Sequence, residues 1–222
     1  MTFRITTKQM SETVFPLAAV SRLRMMTDGT GVTTLVAASG CPLRCRYCIN
    51  PETWNGNISP RAVSPEELLE LVKTDSLYFI ATGGGVTFGG GEPLLHSGFI
   101  KEFRTLCPEE WNICAETSLC VPESDIETAA ECINSFFVDI KDADPGIYRA
   151  YTGGDVTIPL KNLKRLIDLC GSERITVRLP LIPGYNTDAD RDKSEELLSD
   201  MGVTRFDRFE YTIKDKRKET RV

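Results

Sequence analysis

The chain is expected to fold as an α/β protein, with a parallel sheet and its helices outside. Three observations predict this. Six short runs rich in apolar and β-branched residues are spread along the 222 residues. Stretches with helical spacing of apolar residues lie between them. Capping residues, prolines and glycines punctuate the boundaries. Such βαβα alternation favours a parallel sheet over a meander of hairpins. Six strands suit a partial (β/α)6 barrel, and a doubly wound sheet is the other arrangement the pattern allows.

In chain order, residues 1–20 carry little pattern and read as an N-terminal extension to a core domain over 21–213. Thr27-Asp28-Gly29-Thr30-Gly31 is a turn signal. Val32 to Ala37 forms the first strand and leads directly into a cysteine-rich loop. Ser64-Pro65-Glu66-Glu67 opens a helix: Ser64 can cap, Pro65 suits the first helical position, and the acids face the positive end of the helix dipole. Leu68, Leu69, Leu71 and Val72 give that helix its apolar face. Val86 to Phe88 is a short strand between two glycine clusters, and Phe99, Phe103 and Leu106 mark the next helix. Ile113 to Thr117 is the third strand. Pro122-Glu123 starts a helix through Cys132, and Ser135 to Lys141 is an apolar strand with charges at its C-terminal end. Leu160 to Leu169 is helical and stops at Gly171. Ile175 to Leu179 is the fifth strand, ended by Pro180. Asp188 to Met201 is a helix stopped by Gly202, and Phe206 to Ile213 is the sixth strand. The tail, 214–222, has five basic and two acidic residues and no apolar face, so it reads as a solvated end.

Composition narrows the function. The net charge of −6 gives no global basic footprint for nucleic acid. No apolar run is long enough to span a membrane, and Met1-Thr2-Phe3-Arg4 does not begin a secretory leader. Eight cysteines without such a leader point to a reducing, cytoplasmic setting, and a monomer is expected. Cys107, Cys114, Cys120, Cys132 and Cys170 are scattered singly and read as small core hydrophobes.

The other three cysteines are not scattered. Gly40-Cys41-Pro42-Leu43-Arg44-Cys45-Arg46-Tyr47-Cys48-Ile49-Asn50 holds them in a CxxxCxxC run. Gly40 and Pro42 argue for a loop, which lets three thiolates fold around one object. Soft thiolates select soft metals and iron–sulfur clusters. Structural zinc asks for four ligands, usually in two close pairs. The next cysteine is Cys107 and the only histidine is His96, so the zinc reading is weaker. A disulfide framework would leave an odd thiol. A four-iron cluster on three thiolates keeps one iron open to a substrate or cofactor. In parallel βα folds the site lies at the C-terminal strand ends. There this chain places Gly90-Gly91-Glu92, Glu116 and Thr117, Asp139 and Lys141, and Arg178.

CxxxCx(aromatic)C is the signature of the radical S-adenosylmethionine (SAM) enzymes. The longer string Gly40 to Asn50, followed by Thr53-Trp54, resembles the glycyl-radical-enzyme activating enzymes, of which the pyruvate formate-lyase activating type is best known. The resemblance runs from about Thr27 to about Tyr211. It implies the partial (β/α)6 barrel, a [4Fe–4S] cluster on Cys41, Cys45 and Cys48, and SAM chelating the open iron. Gly90-Gly91-Glu92 is similar to the family's GGE motif, which meets the methionine amino group. Asp139-Ile140-Lys141 is similar to its DxK motif, with Lys141 a mobile charge for the carboxylate. Glu116-Thr117 falls where the type enzyme has Asp-Thr and a monovalent-cation site. Tyr47 matches the aromatic whose backbone meets the adenine, and Asn50 a polar residue near SAM. Asp28 and Arg178 match positions that approach the substrate glycine loop.

The implied reaction needs no side chain as acid or base. The implied partners are a glycyl-radical enzyme as protein substrate and a flavodoxin- or ferredoxin-like electron donor. The alternative is direct radical modification of a peptide or small molecule. Its motivation is the end of the sixth strand, where Thr212 stands in place of the family's ribose-contacting histidine. Ile49 likewise stands where the type enzyme has histidine.

Overall fold

The computed structural model of the chain describes residues 13–25 and 27–211. The expected strands form β2 (Val32–Ala38), β4 (Gly85–Gly90), β5 (Asn112–Thr117), β6 (Ser135–Asp139), β7 (Ile175–Leu181) and β8 (Phe206–Glu210). Each pairs in parallel with the next, so their C-terminal ends share one edge of the sheet. Two antiparallel strands, β1 (Phe15–Met25) and β3 (Arg61–Val63), extend the β2 side. The result is an open sheet in the order β3-β1-β2-β4-β5-β6-β7-β8. The α/β expectation and the partial-barrel arrangement both hold.

The helices that cross between strands are α1 (Pro65–Val72), α2 (Ser76–Thr82), α3 (Ser97–Leu106), α4 (Glu123–Cys132), α5 (Pro145–Thr152), α6 (Thr157–Cys170) and α7 (Asp188–Asp200). The start of α1 is a reciprocal cap. Ser64 Oγ accepts from the Glu67 N–H at 3.2 Å, and the Glu67 carboxylate accepts from the Ser64 N–H at 3.0 Å. Phe88, Phe99, Phe103, Trp111 and Phe136 are buried between helices and sheet. Each contributes on the order of 2 kcal/mol by leaving water.

Three departures have physical reasons. The boundary at residue 20 falls inside β1, because Phe15 and Leu17 are core residues. Phe15 packs on Phe88 at 5.6 Å and on Phe99 at 5.1 Å between ring centroids. A register shift after Leu17 brings Val20, not Ala19, against the core, so the alternation is broken and did not register. Second, β7 continues through Pro180. Its neighbour β6 ends where Asp139 pairs with Arg178, so nothing on that side asks Pro180 for an N–H. Arg178 therefore sits within its strand, not at the end. Third, α5 was not anticipated, although Asp144 accepts from Gly146 and Ile147 N–H groups, Pro145 follows, and Gly153 closes the helix in the left-handed region. Residues 1–12, the basic tail 214–222, Ile213 and Thr212 lie outside the described residues.

One buried acid ties β1 to the α1–α2 junction. Asp75 is fully buried and accepts from Arg22 Nε at 2.9 Å and from Thr34 Oγ1 at 2.7 Å. The Arg22 hydrogen bonds hold its carboxyl below the usual range. A depressed carboxyl stabilises the fold above the unfolded value, near pH 4, and that contribution fades as pH falls through the folded value. Arg22→Ala leaves the buried carboxylate with Thr34. We expect a loss of stability at pH 7, kept modest because Arg22 is half-exposed and screened. In urea denaturation the gap to wild type should narrow as pH drops from 7 to 3. A gap that stays constant would refute the assignment.

Candidate active site

The parallel strand ends open onto a cavity of about 560 Å³. Of the fourteen residues the sequence singled out, twelve line it: Cys41, Cys45, Cys48, Asp28, Asn50, Gly90, Gly91, Glu116, Thr117, Asp139, Lys141 and Arg178. Tyr47 and Glu92 stand behind the wall. The Tyr47 ring packs edge-on against Tyr151 and Tyr185, and its hydroxyl donates to the Pro183 carbonyl at 3.3 Å. The tyrosine thus anchors the loop that carries Cys45 and Cys48. His96 lies elsewhere, edge-on to Phe15.

The cysteine loop is held mainly by backbone bonds. Arg44 N–H donates to the Thr152 carbonyl at 2.8 Å and Arg46 N–H to the Tyr151 carbonyl at 3.0 Å. Both acceptors belong to the last turn of α5, whose free carbonyls need donors. Leu43 plugs the loop into a small apolar cluster with Tyr148 and Val156. On the other side, Gly40 N–H donates to the Thr53 carbonyl at 2.6 Å.

The glycine turn is docked onto the same loop. Gly91 N–H donates to the Ala38 carbonyl at 3.0 Å and Glu92 N–H to the Gly40 carbonyl at 2.8 Å. Gly90 has φ +88°, and a Cβ there would lie 2.6 Å from the Ala37 Cβ; one on Gly91 would lie 2.1 Å from the Gly40 carbonyl oxygen. No side chain fits at either position. Glu92 is fully buried beneath the turn. Its carboxylate accepts from Thr117 Oγ1 at 2.7 Å, Ser118 Oγ at 2.6 Å, Ser118 N–H at 2.8 Å and Leu94 N–H at 3.2 Å. Burial pushes its pKa up, against these hydrogen bonds. The Glu92 carboxylate thus supports the turn from below and does not line the cavity.

Charges in the cavity come in pairs. Lys141 is buried and lies 3.3 Å from Asp139. Burial would discharge it, but Asp139, Tyr211 and Cys45 outweigh that and hold its pKa above the usual lysine range. Arg178 Nη1 donates to Glu116 at 2.7 Å, and its guanidinium stacks 4.4 Å from the Phe137 ring centroid. Burial raises the Glu116 carboxyl despite Arg178. Arg24 pairs with the buried Asp28. Arg24 and Ser118 line the cavity but were missed by sequence reasoning, as were Phe209 and Tyr211. Arg24 could be placed only by recognising β1, although its i,i+4 spacing to Asp28 was a usable signal.

The donor set fits an iron–sulfur cluster. Three thiols line one wall, near enough for Cys45 and Cys48 to raise the Cys41 pKa. Burial is the larger cause and pushes Cys41 to about 12. Burial also raises Cys45, and the Lys141 charge opposes it. Cys120 packs against the neighbouring apolar cluster but does not line the cavity. Among the described residues no three His, Cys, Asp or Glu side chains converge as a single metal ion requires. Cys114 and Cys132 are buried, while Cys107, Cys120 and Cys170 are half-buried. No helix of the described residues is long and apolar enough to cross a membrane.

Fold and cavity together define a thiol-lined site at the C-terminal edge of a parallel sheet. A sequence model of the radical SAM superfamily matches residues 35–198, and the chain belongs to that superfamily. Its cofactors are a [4Fe–4S] cluster and SAM. The chain is 33% identical to a pyruvate formate-lyase-activating enzyme of Staphylococcus epidermidis, over 72% of this chain and 66% of the relative. It is 27% identical to an indoleacetate decarboxylase activating enzyme of Tractidigestivibacter scatoligenes, over 73% and 72%. The chain thus spans about two thirds to three quarters of these relatives' length. Among solved structures, Streptococcus suis SuiB bound to SAM shares the fold, with TM-score 0.64 and 15% identity over 82% of this chain and 41% of SuiB.

Glu92 supplies the test of this site. Glu92→Ala removes the acceptor of four donors beneath the turn, so we expect a loss of about 3 kcal/mol or more. Glu92→Gln, which keeps one acceptor oxygen, should fall between that variant and wild type. Both should bind SAM more weakly, because the Gly90–Gly91 turn loses its support. Wild-type stability in urea denaturation of Glu92→Ala would contradict this role.

Proposed function

We propose that the protein is a glycyl-radical-enzyme activating enzyme. The observation that carries this reading is the convergence on one cavity of three thiols, a side-chain-free glycine turn and a charged lysine. The relatives named as activating enzymes support it. Cys41, Cys45 and Cys48 would hold the [4Fe–4S] cluster, which would supply the electron for reductive cleavage of SAM to methionine and a 5′-deoxyadenosyl radical. That radical takes a hydrogen atom from the Cα of a glycine in a partner protein, giving 5′-deoxyadenosine and a stored glycyl radical.

The chain's own residues bind, orient and exclude water. Gly90 and Gly91 present backbone to the methionine amino group. Lys141 offers its ammonium to the carboxylate, exchanging part of its contact with Asp139. Asn50 and the Tyr47 backbone lie on the adenosine side. Asp28 and Arg178, joined by Arg24, face the partner's glycine loop. We assign any monovalent cation to the acids Glu116 and Asp139, where it competes with the Arg178 guanidinium. A flavodoxin- or ferredoxin-like protein would deliver the electron.

The first experiment is anaerobic reconstitution followed by dithionite and SAM, with 5′-deoxyadenosine quantified against a Cys48→Ala control. No product above the control would reject radical SAM turnover. Candidate glycyl-radical proteins are then added and the radical sought by EPR. Deoxyadenosine release with hydrogen taken from a peptide or small molecule, and never from such a protein, would favour the alternative. Lys141→Ala should bind SAM about ten- to a hundredfold more weakly, the value of a charged hydrogen bond, with cluster absorbance unchanged. Loss of the cluster in that variant would show that Lys141 supports the thiolates instead.

A further inference from the structure

The loop that carries the thiols is closed by a 3-10 turn, Pro51–Thr53, and the next residue is Trp54. Its indole Nε1–H donates to the Cys48 sulfur at 3.5 Å. The Arg44 guanidinium lies 4.9 Å from the centroid of the same ring. Arg44 is itself fixed, donating to the Cys41 carbonyl at 2.6 Å and the Leu43 carbonyl at 2.7 Å. The indole is therefore clamped by a cation on its face, with its one polar hydrogen directed at one thiolate. Trp54 is outside the SAM cavity; with Arg44, Thr53 and Cys41 it lines a second hollow of about 280 Å³.

We propose that Trp54 is a positioning residue that sets the reduction potential of the cluster through the Cys48 sulfur. The inference rests on the cluster reading above. A donor to a ligand sulfur withdraws charge from the metal centre and favours the form carrying the extra electron, so it raises the potential. On the cavity side the cation near Cys45 is Lys141, itself paired with Asp139. The Trp54 N–H is thus a second device that makes an anionic centre easier to reduce, from the opposite side of the loop.

The test uses the reconstituted full chain and a potentiometric titration followed by the EPR signal of the reduced cluster. Trp54→Phe keeps a ring for Arg44 and loses the N–H. Its midpoint should shift to lower potential at unchanged cluster content, and deoxyadenosine release should fall several-fold with a weak reductant but recover with a strong one. If Trp54→Phe fails to hold a cluster, 5-fluorotryptophan decides. Incorporated in a Trp111→Phe background, it labels Trp54 alone, since the chain has two tryptophans. A more acidic indole N–H should then raise the potential. An unchanged midpoint in Trp54→Phe, or in the fluorinated protein where that variant loses its cluster, overturns the proposal. A wild-type protein that reconstitutes no cluster would instead overturn the reading beneath it.

Discussion

The site depends on how closely two backbones approach. The Gly90–Gly91 turn lies against the start of the cysteine loop with no room for a side chain, and two N–H groups bond across the contact. The cysteine loop and the glycine turn are therefore parts of one rigid piece. The two backbones are coupled in position, as a site that needs fixed geometry requires. Glu92 completes the piece from below, by joining the turn to the end of β5 through Thr117 and Ser118. From the other side, the last carbonyls of α5 fix Arg44 and Arg46. The loop has little regular structure of its own, yet three elements determine its path.

Electrostatics adds a second layer to this frame. Isolated charges in a half-buried cavity would be costly, and the structure provides each with a partner: Lys141 with Asp139, Arg178 with Glu116, Arg24 with Asp28. SAM brings an ammonium, a carboxylate and a sulfonium. Each can exchange with a charge already desolvated, so binding does not have to strip water from every group at once. Lys141 is the most constrained, since three neighbouring groups keep it charged despite its burial.

Much of this was legible in the sequence because it resides in short-range signals. The six parallel strands, the Ser64 cap and the order of strand-end residues follow from local spacing and from proline and glycine positions. Ten of the twelve cavity-lining residues singled out lie there because a parallel sheet puts every strand's C-terminal end on one edge; Asp28, in the β1–β2 turn, and Arg178, within β7, reach it otherwise. What stayed hidden depends on distant contacts. The apolar alternation of β1 is broken by a register shift after Leu17, and its partners β2 and β3 are known only once the sheet exists. α5 is eight residues long, too short for periodicity to register, although its Asp144-Pro145 start was readable. The burial of Glu92 and the role of Trp54 could not be read at all. A glutamate after two glycines and a tryptophan after a threonine carry no sign of what they will touch.

The same distinction bears on Glu116. Read alone, an acid at the end of a central strand suggests a seat for a small cation. In the fold, β7 brings Arg178 to it: the register places Arg178 opposite Asp139, one strand from Glu116. The guanidinium also donates to the Thr27 carbonyl at 3.1 Å, so it ties the turn that carries Asp28 to the middle of the sheet. A free ion at Glu116 would have to shed water and lose its translational freedom on binding. Arg178 is already tethered and stacked on Phe137, and it keeps several donors in a fixed fork. Its charge favours the ionised form of Glu116 without an ion from solution. Because it reaches the rim through Thr27, anything that binds there and displaces Arg178 also changes the charge balance around Glu116. Asp139 feels the same change, and Asp139 is the partner of Lys141. A single guanidinium therefore ties the turn at the mouth to the acids at the ends of β5 and β6.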